Sequence, residues 1–134
     1  MLFTGNNPPR TDQHALFLGI DVGTSGVKAM LVDVRGDVTA SAVTPLTLST
    51  PHPGWAEQDP DAWWAATVTS VRDVMAMRPE RSIESIGISG QMHSSVFLDR
   101  HGQVIRPALL WCDGRTTHEC AVITAAAGGE AVLR

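Results

Sequence analysis

A chain of 134 residues, 43% hydrophobic and 18% charged, is long enough for one domain with a buried core and too apolar for wholesale disorder. Its formal net charge of −4 offers no electrostatic footprint for nucleic acid or anionic lipid, and it holds no apolar run of the roughly 18 residues needed to span a membrane. Cys112 and Cys120 fit neither a C-x-x-C pair nor a zinc spacing, so reduced thiols and a cytoplasmic setting are expected.

Residues 1–15 lack the basic start and apolar stretch of a leader and read as a flexible polar extension ahead of a domain over 16–134. Leu16 to Val22 is a short apolar run closing on an aspartate, the pattern of a buried strand. A turn at Gly23-Thr24-Ser25-Gly26 leads into a second strand, Val27 to Asp33. Arg35-Gly36-Asp37 then signals a hairpin into a third strand, Val38 to Leu48. Pro45 marks that strand as an edge, or as ending near there.

Thr50 to Gln58 is turn-rich and predicts a loop. A helix follows, with Asp59 as N-cap, Pro60 in the first helical position and Asp61 in the first turn. Trp64, Val68, Val71 and Met75 predict its buried face, with Trp63, Thr67 and Val74 beside them, and Pro79 ends it. Trp63 and Trp64 are expected in the core. Ile83 to Ser89 predicts another buried strand. Ser95 to Asp99 and Val104 to Leu110 read as a strand pair joined across Arg100-His101-Gly102, and Thr116 to Ala127 as a weaker helix. An antiparallel meander followed by a helix and further strands is an α/β pattern.

Three constellations carry chemistry. In Gly19-Ile20-Asp21-Val22-Gly23-Thr24-Ser25-Gly26, glycines that tolerate positive φ and the hydroxyls of Thr24 and Ser25 can make a phosphate cradle. Asp21 would repel phosphate directly but can hold Mg²⁺, or a water on it, against phosphate oxygens. A plain glycine-rich hairpin turn explains the same residues. In Gln91-Met92-His93, at the end of a strand, an amide, a thioether and an imidazole can meet the polar and carbon faces of a sugar. In Trp111-Cys112-Asp113-Gly114-Arg115 an indole and directional polar groups suit a sugar as well, although, taken alone, a core Trp beside an Asp-Gly turn is the stronger account of them. Trp55, Glu57 and Gln58 read as a structural loop, and His52 as a surface residue.

Together with Pro53-Gly54-Trp55-Ala56-Glu57-Gln58-Asp59-Pro60 and Trp63-Trp64, these segments resemble, in order, the opening of the FGGY family of carbohydrate kinases, and within it the xylulokinase branch. The resemblance implies a ribonuclease-H-like (actin-like ATPase) fold, of which this chain is the N-terminal part of the first domain. It implies ATP and Mg²⁺ as cofactors and D-xylulose as the small-molecule partner, with no nucleic acid or membrane and a homodimeric parent enzyme. It assigns Asp21 to Mg²⁺ and phosphate, Gly23, Thr24, Ser25 and Gly26 to the phosphate loop, and Gln91, Met92, His93 and Asp113 to the sugar. Ser94 and Cys112 depart from the family's usual glycine and asparagine. The family's general base, an aspartate in a Gly-Gly-x-Asp-type motif, finds no match here. The chain therefore reads as an N-terminal portion, inactive by itself. A kinase for another ketose or polyol, and a non-catalytic sugar-binding module, remain as alternatives.

Overall fold

The computed structural model describes residues 15–79 and 81–129. Of the expected N-terminal extension, residues 1–14 lie outside the described part, and Ala15 is buried. The elements are β1 (Leu16–Val22), β2 (Gly26–Asp33), β3 (Val38–Pro45), β4 (Glu57–Gln58), α1 (Pro60–Ala76), β5 (Ile83–Gly90), β6 (Ala108–Leu109) and α2 (Thr117–Ala126). They fall into two units. One comprises residues up to Leu46 together with Trp64–Gly90, and the other comprises Thr47–Trp63 with the chain from Gln91 onward.

The first unit is a four-stranded mixed sheet in the order β3-β2-β1-β5. The expected meander forms β1, β2 and β3, antiparallel throughout, while β5 joins β1 in parallel. Alternation decides the buried face. Leu18 lies opposite Leu31, Ile20 opposite Ala29, and Val22 opposite Val27. Those residues pack with Ala66 and Val74 of α1, and Val71 and Met75 close the cluster. Leu31, Val27 and Val74 are fully buried, and each such side chain contributes roughly 1.5–3 kcal/mol relative to exposure. Ser70 lies in the same stripe. Its hydroxyl donates to the Val27 carbonyl at 2.9 Å and meets the Thr44 hydroxyl at 2.7 Å, so a buried polar group is fully partnered.

Asp59 caps α1 as expected, accepting from the Asp61 N–H at 3.0 Å. The helix stops at Ala76, three residues before Pro79, and its last turn tightens through Met77 N–H to Val74 O and Arg78 N–H to Met75 O. Its fully buried positions are Ala66, Ser70 and Val74; of the predicted face, Val71 and Met75 are partly buried and pack against the core, whereas Trp64 does not. Trp64 is 72% exposed.

β3 ends at Pro45, short of the predicted Leu48, and is the sheet edge that the proline implied. β5 departs further from expectation. Ile86 and Ile88 stand in register with Leu18 and Ile20, yet they are 60% and 74% exposed. The apolar run signalled a buried strand. β5 is instead the other edge, and no described element covers its face.

In the second unit, Glu57 and Gln58, expected in a loop, form β4 and pair with β6. The predicted strands at Ser95–Asp99 and Val104–Leu110 reduce to β6 and isolated bridges at Ser95↔Leu109 and Leu98↔Val104. Their turn is built as read: Asp99 Oδ1 accepts from the His101 and Gln103 N–H groups, and Gly102 adopts φ +78°. The ladder stays sparse because Phe97, Leu98 and Ile105 have no buried face to anchor a register. No residue of α2 is buried.

Candidate functional site

The phosphate-loop candidates lie in the first unit, where β1 turns into β2. Asp21 is exposed at the end of β1, and Oδ1 of its carboxylate accepts from the Ser89 hydroxyl of β5 at 2.7 Å. Gly23 N–H donates to Gly26 O at 3.1 Å, and Leu46 N–H donates to Ser25 O at 3.0 Å, which pins the turn to the end of β3. Neither Gly23 nor Gly26 is among the residues with positive φ, so left-handed freedom is not their purpose. Room is the reason. A Cβ on Gly26 would stand 2.9 Å from Thr44 O, and one on Gly23 would stand 3.2 Å from Gly26 O.

Two further features were not legible in the sequence. Lys28, which drew no assignment there, lies directly across the ladder from Asp21, so the two share a face of the sheet. Gly19 and Gly87 lie opposite each other, and with Met30, Ile88 and Ser89 they line an open depression of about 330 Å³ beside Asp21. Among the described residues no group of three His, Cys, Asp or Glu side chains converges on a metal position. A single exposed carboxylate suits Mg²⁺ held mainly by phosphate oxygens and water, and does not suit a protein-enclosed ion.

The sugar-site candidates lie in the second unit. Gln91, Met92 and His93 follow β5 directly, and Met92 and His93 are exposed. His93 holds φ +65°, the one non-glycine residue with positive φ among those described. That conformation costs roughly 1–2 kcal/mol for a residue bearing a Cβ, and such strain gathers at ligand-binding positions. Gln91 Nε2 donates to Gln58 Oε1 at 3.3 Å, and Ser94 Oγ donates to Gln91 Oε1 at 3.4 Å. Gln58, read as part of a loop, is thereby joined to the sugar-loop residues.

Asp113 is differently placed. Its Oδ1 accepts from the backbone N–H and Nε of Arg115 at 3.0 and 2.8 Å, and its Oδ2 from Ala56 N–H and Arg115 Nη2, each at 2.7 Å. Four donors use the full acceptor capacity of a carboxylate. Arg115 also reaches Glu57 at 2.7 Å, as does Arg106, and its guanidinium stacks 3.7 Å above the Trp55 ring, which His52 meets edge-on. Leu110 N–H to Ala56 O and Gly114 N–H to Gly54 O complete a seam between residues 54–58 and 110–115. Trp111 is 60% exposed and is not the core residue that the bland reading required.

The hydrogen bonds from Arg115 hold the Asp113 carboxyl far below the usual carboxylate range, despite some opposing desolvation, and they lower Glu57 as well. Both carboxylates bind protons more weakly folded than unfolded. Their stabilisation is therefore complete above the unfolded pKa values and is lost as pH falls through the folded ones. Thermal melts of the full-length protein should fall steeply in midpoint below about pH 4. Arg115→Ala should lower the midpoint at pH 7 and flatten that acid dependence. An equally steep acid limb in the variant would show that the seam is electrostatically idle.

Residues 16–133 match the profile of the FGGY family of carbohydrate kinases, N-terminal domain. The xylulose kinase of Klebsiella pneumoniae is 49% identical over 108 residues, covering 81% of this chain and 22% of the relative. That of Escherichia coli strain K12 is 44% identical over 110 residues, covering 82% and 23%. The crystal structure of xylulose kinase from Rhodospirillum rubrum is similar at a TM-score of 0.80 and 36% identity, over 87% of this chain and 24% of that one. The fold is thus the mixed-sheet, actin-like ATPase architecture of sugar kinases. The chain spans less than a quarter of the length of each of these relatives.

Proposed function

This chain belongs to the FGGY family of carbohydrate kinases, and we propose that it opens an enzyme that phosphorylates D-xylulose with ATP to give D-xylulose 5-phosphate. The observation that carries the choice of sugar is the Gln91-Met92-His93 loop, with His93 held in a strained left-handed conformation. An imidazole fixed there can exchange hydrogen bonds with a sugar hydroxyl or carbonyl, while Met92 lies against carbon. Asp113 serves the same loop by holding Arg115 and the backbone of Ala56, its carboxylate being occupied by those donors.

On the phosphate side, Asp21 supports Mg²⁺, and the Gly23-Thr24-Ser25-Gly26 turn lies against the phosphates, with the Thr24 and Ser25 hydroxyls as donors. Bound Mg²⁺ with ATP supplies the transferable phosphoryl group and neutralises its charge. Residues 16–134 form the opening part of the first domain. In this reading the general base that takes the proton of the attacking sugar hydroxyl lies outside this chain, because Asp21 and Asp113 match other motifs of the family. The parent enzyme is a homodimer in this reading.

Steady-state kinetics of the full-length protein on a panel of ketoses and polyols tests the assignment, with D-xylulose expected to give the highest kcat/KM. His93→Ala should raise KM for xylulose by roughly five- to 150-fold, the range for losing one buried polar partner, and should leave KM for ATP alone. Equal changes for both substrates would remove His93 from the sugar site, and preference for another sugar would replace D-xylulose.

A further inference from the structure

The geometry points to Gln58 and Trp63 as positioning residues that turn the Gln91 amide so that its carbonyl oxygen, and not its NH₂ group, is offered to the sugar. The inference rests on the sugar-site reading above and adds to it the hydrogen-bond sense of one contact.

An indole N–H can only donate. Trp63 Nε1 lies 2.9 Å from the Gln58 amide, so the atom facing it must be Oε1. The Gln58 NH₂ group then faces the Thr47 carbonyl at 3.4 Å, and that carbonyl can only accept. Both ends of the Gln58 amide agree on one orientation. Gln58 is 3% exposed, so bulk water does not offer substitutes for these partners.

Orientation then passes along the chain of amides. The Gln91 atom 3.3 Å from Gln58 Oε1 must be a donor, which makes it Nε2. Gln91 Oε1 therefore lies on the other side of its amide, 3.4 Å from the hydroxyl of Ser94, the residue after His93. Flipping Gln91 would set two carbonyl oxygens against each other at a part-buried position. A carbonyl oxygen accepts a hydrogen bond from a sugar hydroxyl and gives nothing to a keto oxygen. Gln91 would thus recognise one hydroxyl of the acceptor sugar, read as a donor.

The test uses the full-length protein with D-xylulose and its monodeoxy analogues. Trp63→Phe keeps the aromatic ring and removes the N–H that sets the chain. We expect KM for the sugar to rise by about two- to tenfold, the range for one hydrogen bond, with kcat and KM for ATP unmoved. That rise should vanish for the one analogue lacking the recognised hydroxyl, a pattern no general loosening produces. Gln58→Met, which removes both the acceptor for Trp63 and Gln91 and the donor to Thr47, should behave like Trp63→Phe. If Gln58→Met fails to fold, Trp63→Phe with the analogue panel still decides. Unchanged sugar KM in Trp63→Phe, or an equal rise for every analogue, overturns this inference alone. No turnover of any sugar by the unaltered protein overturns the kinase reading, and this inference with it.

Discussion

In the full-length protein, Asp21→Ala is expected to lower kcat by roughly two orders of magnitude or more, with little change in KM for the sugar. Among the described residues no group of three or more His, Cys, Asp or Glu side chains gathers at a metal position to take over from Asp21. Charge on a phosphoryl group in transfer is met by Mg²⁺, so losing the carboxylate that supports the ion raises the barrier more than it weakens ground-state binding. The bond from Ser89 offers a control. Asp21→Asn keeps an oxygen for that hydroxyl and preserves the strand end, yet it removes the charge, so it should lose nearly as much activity as the alanine variant. Wild-type turnover in either variant would sink the assignment of Asp21. A large rise in sugar KM would point to a disturbed fold instead.

Residues 1–134 expressed by themselves are expected to consume no ATP in the presence of xylulose, beside a full-length xylulose kinase as active control. The segment offers a candidate phosphate loop and candidate sugar-loop residues, but its sequence has no match to the family's Gly-Gly-x-Asp-type base motif. Holding reactants in register supplies roughly 7–11 kcal/mol of barrier reduction, and a segment without the opposing groups forfeits most of it. The isolated segment should also self-associate, because Ile86 and Ile88 lie 60% and 74% exposed along an edge strand. Light scattering and an ATP-consumption assay check the two halves of this expectation. Saturable, xylulose-dependent turnover from these residues alone would place the base within them.

Much of the fold was legible because its signals are local. Alternation in Leu16–Val22 and Gly26–Asp33, the Arg35-Gly36-Asp37 turn, Pro45 at an edge and the Asp59-Pro60 helix start each depend on a few neighbouring residues. The four ordered motifs likewise carried the family, since they are strings and need no geometry to be read.

What local patterning could not decide was which apolar residues find partners. Ile86 and Ile88 have the composition of a buried strand, and only the sheet order makes them an exposed edge. Trp64 lost its predicted place to Ala66 because helix-on-sheet packing selects by fit as well as by hydrophobicity. The polar network was equally hidden. Glu57 and Arg115, or Ala56 and Asp113, stand more than fifty positions apart in the chain, and nothing in either segment announces the other. The sequence by itself determined β1 to β3, α1 and the place of β5 in the chain, the family, and the residue types of the candidate site. The tertiary structure alone decided that Asp113 is spent on Arg115 and Ala56, and that Gln58 reaches Gln91. Hydrogen bonds between distant segments depend on how strands and loops converge, and that convergence leaves no periodicity to read.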